Sequence, residues 1–274
     1  MKIDYISDIH LDIWHPFQPI TNEIVKEILG FHLIPEKREL LLIAGDLGHS
    51  NLQNQEFLLF LKEHLYEHII FVLGNHDYYL LQDFDGKRFN NSFERVNEMR
   101  SWADTQVNIH CLDGSIVDIE GVRFGGAMSW YDGSFDTSKE YRKLLQKLWQ
   151  EKMNDSVYIK GCGEYFDDLF KIEIEKIKQI YKKCDVMITH VNPSPIFGRT
   201  INKDKYKNQL MYNFYCFDGN EFVENGSMKH WVYGHDHEIK SFDSKGVQFY
   251  CNAIGYREQI WNRGIRSFEV QAIS

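Results

Sequence analysis

The sequence predicts an α/β fold carrying two sets of strands. Three observations point there. Strand-length runs that are wholly apolar alternate with amphipathic segments in the first third of the chain, shorter strand-like runs gather in the second half, and every dense polar cluster falls just after an apolar run.

Taken in order, Lys2–Ile6 reads as a short strand, and Leu40–Ala44 and Ile69–Leu73 as strands buried on both faces, since all their residues are apolar. Between them, residues 20–30 and 51–67 carry apolar side chains near helical spacing. This βαβαβ order makes the first strands parallel. Ile116–Ile119 and Val122–Ala127, joined through Glu120-Gly121, read as a hairpin. A helical insertion follows at about 137–183, including the charged run Phe170–Lys183. Val186–Thr189, Trp231–Tyr233, Ile239–Phe242, Val247–Cys251 and Ser267–Val270 complete a second strand set, more antiparallel than the first. Residues 196–216 show no periodicity and read as a loop.

A chain of 274 residues without a linker or repeat is expected to form a single domain, 1–274, around one well-buried core. No apolar stretch approaches the roughly 18 residues of a membrane span, and Met1-Lys2-Ile3-Asp4 enters a strand rather than a leader, so a cytoplasmic protein without a membrane partner is expected. Five widely spaced cysteines without a CxxC pair are expected to be reduced thiols rather than a thiolate metal site. A net charge of −9 repels a polyphosphate backbone, and Lys203–Lys207 is the only dense basic run, so bulk nucleic acid is disfavoured. A small phosphorylated substrate held through metal ions remains compatible, because bound cations govern their own local field.

The clusters are SDIH after Ile6, GDLGH after Ala44, GNHD after Leu73, TH after Ile188 and GHDH after Tyr233. Ligands of open α/β sheets bind at the carboxyl ends of strands, so these loops should converge. Asp8 and His10 stand two apart, and in an extended segment such residues face one side and can share an ion. His235 and His237 repeat the spacing, with Asp236 turned away. Adding Asp46, Asn75 and His190 gives nitrogen and oxygen donors without sulfur, which suit Mn, Fe or Zn better than Ca or Mg. The set is too large for one ion and suits two that share a carboxylate, about 3.5–4 Å apart, able to hold a phosphate and activate water.

In kind and order, SDIH, GDL, GNHD, ITH and GHDH resemble the motifs of the calcineurin-like metallophosphoesterase superfamily, across residues 8 to 237. The resemblance implies a four-layer α/β/β/α sandwich, two mixed sheets flanked by helices, and a phosphohydrolase with a dinuclear metal centre. It implies that Asp8, His10 and His237 bind one ion, that Asn75, His190 and His235 bind the other, and that Asp46 bridges them. His76 would protonate the leaving oxygen or stabilise charge on the phosphoryl group, a role worth about 10²–10⁴-fold. Asp77 would orient its loop as a cap or acceptor, and Gly74 would allow a sharp turn. Attack on phosphorus in line needs no covalent phosphoenzyme. A small phosphodiester is the expected substrate; a phosphomonoester or phosphoprotein, and in another class a non-catalytic metal-binding scaffold, are the alternatives. Retention of His76 and of every ligand favours the enzyme.

Two departures stand out. His49 occupies the position, three after Asp46, where many relatives carry an acidic residue that orients the catalytic histidine, and Val191 replaces a second histidine. The segment NAIGYR, 252–257, is similar to one that often follows the last histidine motif. His15, His32, His64, His68, His110 and His230 read as structural or exposed. Trp130-Tyr131 and Tyr78-Tyr79 suit pocket lining or packing equally. Arg199 and Arg257 suit phosphate contacts or surface ion pairs, and the insertion suits a cap or, more simply, a solvated helical pair.

Overall fold

The wholly apolar runs become strands because both of their faces are covered. In β1 (Lys2–Ile6), Ile3 and Tyr5 join a core between two sheets, while Ile6 joins a core under helices. In β2 (Arg38–Ala44), Leu40, Leu42 and Ala44 take the inter-sheet side and Leu41 and Ile43 the helix side. In β3 (Tyr66–Val72), Ile70 and Val72 are divided from Ile69 and Phe71 in the same way. Within Ile3–Ile6, Leu40–Ala44 and Ile69–Val72 no position faces water, so in the last two the alternation of polar and apolar residues disappears. A computed structural model describes residues 1–30, 36–134, 138–193, 209–259 and 264–271.

With β4 (Ile109–Cys111) and β11 (Arg266–Glu269), these strands form a mixed sheet of order β11-β1-β2-β3-β4, parallel except at β11. The second sheet is built from β5 (Ser115–Ile119), β6 (Val122–Ala127), β7 (Val186–Thr189), β8 (His230–Tyr233), β9 (Ile239–Ser244) and β10 (Val247–Asn252). Its order is β5-β6-β7-β8-β10-β9, antiparallel at both ends. Glu120 and Gly121, at φ 52° and 80°, make the two-residue hairpin turn whose positive dihedrals match strand twist. Helices α3 (Asn51–His64) and α4 (Ser92–Asp104) pack on the first sheet, following the short α1 (Leu11–Trp14) and α2 (Asn22–Leu29). The insertion comprises α5 (Lys139–Lys152), α6 (Asn154–Tyr158) and α7 (Asp168–Ile180), of which α7 packs on the second sheet. The layers are therefore helix, sheet, sheet, helix, as expected.

The structure differs from the sequence reading at four places. The segment at 267–270 belongs to the first sheet, where β11 lies antiparallel to β1. A buried carboxylate explains the placement: Asp4 accepts from Ser267 Oγ of β11 at 2.5 Å, from Arg38 of β2 at 2.6 Å and from Tyr66 of β3 at 2.9 Å. Helix α4 and strand β4 fill a stretch that the periodicity left unassigned; Asn91 caps α4 by accepting from Glu94 N. Part of the expected loop at 196–216 is helical, as α8 (Gln209–Tyr212), before α9 (Asn220–Asn225), and residues 194–208 lie outside the described residues. The insertion is not a solvated pair, since Leu145, Asp155, Leu169, Glu173 and Ile177 are buried. No helix among the described residues is long and apolar enough to cross a membrane.

Leu42 lies at the centre of the inter-sheet core. Leu42→Ala should cost about 2–5 kcal/mol, read as a lower urea midpoint at unchanged m-value.

Candidate metal centre

The five clusters leave the carboxyl ends of β1, β2, β3, β7 and β8 and meet above the two sheets. They do so through unusual backbone. Asp8, His10, Asp46, His235 and His237 have φ of 52°, 49°, 57°, 68° and 51°, the left-handed region that side chains disfavour. The extended geometry assumed for Asp8 and His10 therefore does not occur. The strand ends at Ile6, and left-handed residues at alternate positions kink the chain so that residues two apart still reach one cluster. Neighbouring loops hold the kinks: Asp8 N donates to Gly45 O at 3.0 Å, Ile9 N to Asp46 O at 2.8 Å and Gly255 N to Asp8 O at 2.9 Å. Asp236 turns away as expected, its Oδ2 accepting from Asn192 Nδ2 at 2.9 Å. Gly74 is required by close approach rather than by a turn, because a Cβ there would lie 2.1 Å from Asp46 Oδ1 and 2.8 Å from His190 Cε1.

Three overlapping triads of side chains can each hold a metal ion: Asp8, His10 and His237; His10, Asp46 and His76; Asp8, Asp46 and His190. His10 Nε2 lies 3.2 Å from His237 Nε2 and 3.8 Å from Asp46 Oδ2, and His237 Nε2 lies 3.6 Å from Asp8 Oδ1. On the other side, His190 Nε2 lies 3.4 Å from Asp46 Oδ1 and 2.9 Å from Asn75 Oδ1. His235 is outside the triads, its ring 4.9 Å from that of His190. Two imidazole nitrogens bound to one ion at about 2.0–2.1 Å in a tetrahedral arrangement stand ~3.3 Å apart, close to the spacing of His10 and His237.

The partners of the histidines fit metal binding equally well. His190 Nδ1 donates to Ala44 O at 2.8 Å, His235 Nε2 to Phe214 O at 2.8 Å, and His237 Nδ1 to Gln259 Oε1 at 2.8 Å. Each ring thus spends one N–H on an oxygen outside the cluster and leaves its other nitrogen for the cluster. Asn75 is oriented too: its Nδ2 donates to Asp155 Oδ1 at 2.7 Å, which turns Oδ1 towards His190. Asp155, fully buried on α6, also accepts from Tyr79 at 2.5 Å and from Tyr131 at 2.7 Å. The expected insertion therefore supplies a residue of the site. Asp77 serves as an acceptor, its Oδ2 taking Gly74 N at 2.7 Å and Asp46 N at 3.0 Å.

Electrostatics favour a cation here. Burial opposes charge on Asp46, yet His190, His76 and His10 around it hold the carboxyl well below the usual range. Burial likewise opposes charge on His190, but Asp46 and Asp8 overcome it and lift that imidazole to about 10. The carboxylates thus draw a positive charge to this position. Burial presses His10 and His235 down to about 3, keeping those rings neutral and their lone pairs available, and it presses His76 well below the ordinary imidazole value, so that a proton held there is readily given up.

Beside the cluster lies a cleft of about 560 Å³, walled by Tyr79, Met153, Met211, Tyr215 and Tyr256, with Lys152 at the end of α5. Trp130 and Tyr131 are packed in the core, Trp130 donating to Phe166 O at 2.8 Å. Tyr78 is buried, and Tyr79 reaches the cleft. The segment 252–257 does reach the site, with the Tyr256 ring 4.8 Å from that of His10 and 4.7 Å from that of His237. Arg257 pairs with Glu27 at 2.7 Å, and Arg199 and His32 lie outside the described residues, as does Lys203–Lys207. His15 pairs with the same Glu27 at 2.9 Å, His230 stacks against Phe268 and Tyr250, and Val191 is buried. The five cysteines are free and none is in the cluster. Sequence reasoning missed Asp155 and Asp12; the latter accepts from His49 Nδ1 at 2.6 Å, and His49 Nε2 lies 2.9 Å from His76 Nδ1. Neither lies next to an apolar strand run, so no local signal marks them.

A two-sheet sandwich with acid and imidazole donors at its strand ends is the framework of a metal-dependent phosphoester hydrolase. The calcineurin-like phosphoesterase family matches residues 1–238, and the chain belongs to it. Family and site together make it a phosphoric ester hydrolase that uses divalent metal ions. The chain is 21% identical over 264 residues to the uncharacterized protein L509 of Acanthamoeba polyphaga mimivirus, covering 93% of this chain and 91% of that protein. Phosphopantetheinyl hydrolase from Mycobacterium tuberculosis shares the fold, with a TM-score of 0.75 at 16% identity over 97% of this chain and 95% of that one.

Asp155→Asn should loosen Asn75 and weaken metal affinity by about 10–100-fold without unfolding the chain, as measured by equilibrium dialysis with elemental analysis.

Proposed function

We propose that this protein hydrolyses a small phosphodiester at a pair of transition-metal ions. Asp8, His10 and His237 would hold one ion and Asn75, His190 and His235 the other, with Asp46 shared; the mixed nitrogen and oxygen donors suit Mn, Fe or Zn. The observation that carries this assignment is that His190, His235 and His237 each donate one ring N–H to an oxygen outside the cluster. When bound, the ions polarise the phosphoryl oxygens and activate water. The chain does the rest. Asp8 is held by Ser7 Oγ at 2.5 Å and by His235 N at 3.0 Å, and Asp46 by His76 N at 2.9 Å, so both carboxylates are fixed before substrate arrives. His76 lines the cleft beside Asp46 and delivers a proton to the departing oxygen.

The cleft wall supports a diester over a monoester. A diester carries one negative charge and two non-ester oxygens, which two ions satisfy, and its second ester arm needs an uncharged surface. Tyr79, Tyr215, Tyr256, Met153 and Met211 offer one. A monoester dianion adds a third oxygen, for which Lys152 is the only cationic side chain among the described lining residues.

The test compares nitrophenol release from bis(p-nitrophenyl) phosphate and p-nitrophenyl phosphate by Mn²⁺-loaded protein. The diester should be preferred, and Asp46→Asn should lower turnover by more than about 100-fold and reduce the bound metal, since a ligand shared by two ions outweighs an outer partner. Turnover of the monoester alone, dependent on Asp46, would reassign the substrate and leave the metal centre standing.

A further inference from the structure

We infer that Asp12 and His49 form a relay that sets the tautomer and ring orientation of His76, which makes them positioning residues for the proton given to the leaving oxygen. The inference rests on the reading of His76 as the acid.

The direction of the relay follows from the donors and acceptors. The Asp12 carboxylate accepts twice from His49, from the backbone N at 2.8 Å through Oδ1 and from ring Nδ1 at 2.6 Å through Oδ2. A carboxylate gripped in this way only accepts, so His49 Nδ1 carries its hydrogen and Nε2 is left with a lone pair. His49 Nε2 is 2.9 Å from His76 Nδ1, which must then donate. That leaves Nε2 of His76 as the nitrogen that serves the cleft. The same bond persists in both protonation states. A proton that Nε2 takes up from solvent in the cleft passes to the leaving oxygen as the phosphorus–oxygen bond breaks, and His76 returns to its neutral Nδ1–H form.

The relay is rigid. Asp12 and His49 are each 6% exposed. The Tyr79 ring stacks on His49 at 5.6 Å and 9°, and lies 4.4 Å from the His76 ring. Buried Arg95 ties both loops by donating to His76 O at 2.8 Å and to Gly48 O at 2.6 Å. Gly48 has no room for a side chain, since a Cβ would sit 2.9 Å from Asp12 Oδ1. A histidine at position 49 is therefore no vacancy: it carries the orienting negative charge one imidazole further out, to Asp12 on the first turn of α1.

Leaving-group dependence tests this, because a general acid matters more as the leaving oxygen becomes more basic. Nitrophenyl and phenyl esters of whichever class the wild type hydrolyses would be compared at full metal loading. His49→Ala and Asp12→Asn should lower kcat at unchanged KM, by about threefold for the nitrophenyl ester and about 30-fold or more for the phenyl ester. His49→Gln, whose amide oxygen reaches the place of Nε2, should recover most of the loss, with metal content equal to that of the wild type in every variant. Equal losses on both esters, or none, with His76→Ala steeply dependent on the leaving group, would overturn the relay alone. A flat dependence in His76→Ala would instead remove His76 as the acid. Asp12→Asn gives the same reading if His49→Ala does not fold.

Discussion

The carboxylate of Asp46 is buried just beyond the carboxyl end of β2, where an uncompensated negative charge costs several kcal/mol. The surrounding structure answers that cost. His76 N donates to its Oδ1, His190 and His10 face its two oxygens, and its own N–H and C=O bind Asp77 and the residues after Asp8. Gly74 stays bare so that the carboxylate can pass. The loops after β1, β3 and β7 are thus tied to one group, and the left-handed residues Asp8 and Asp46 are tolerated because bonds to neighbouring loops fix them.

Around this group the protein is organised in two rings of contact. The inner ring offers carboxylates, an amide oxygen and imidazole nitrogens. The outer ring, comprising Ala44 O, Phe214 O, Gln259, Asp155 and Asp12, decides which atom of each inner side chain faces inward. The chain is acidic overall, at −9, but the centre itself attracts cations, and bound ions rather than surface charge would govern an anionic substrate. The insertion belongs to this arrangement. Its α6 supplies Asp155, and the residues just before, Lys152 and Met153, line the cleft, so cleft lining and the orientation of Asn75 share one short segment.

The inner ring was legible in the sequence because each of its members follows an apolar strand, and strand ends in such folds face the ligand. Asp8, His10, Asp46, Asn75, His76, His190, His235 and His237 all lie in short motifs whose strands periodicity can find. The first three strands and the hairpin were legible for the same reason, being buried on both faces or closed by a two-residue turn. The reason given for Asp8 and His10, an extended segment, was wrong, because backbone handedness after a strand depends on the loops that brace it.

What the sequence determined by itself is the sheet-forming pattern, the polar motifs at the strand ends and hence the family. Tertiary structure alone decided that 267–270 joins the first sheet, that the insertion delivers Asp155, and that Asp12 completes the support of His76 through His49. The physical reason is range. Strand and turn signals are carried by neighbours along the chain, whereas a buried hydrogen bond such as that from Asn75 to Asp155 joins residues that only packing brings together.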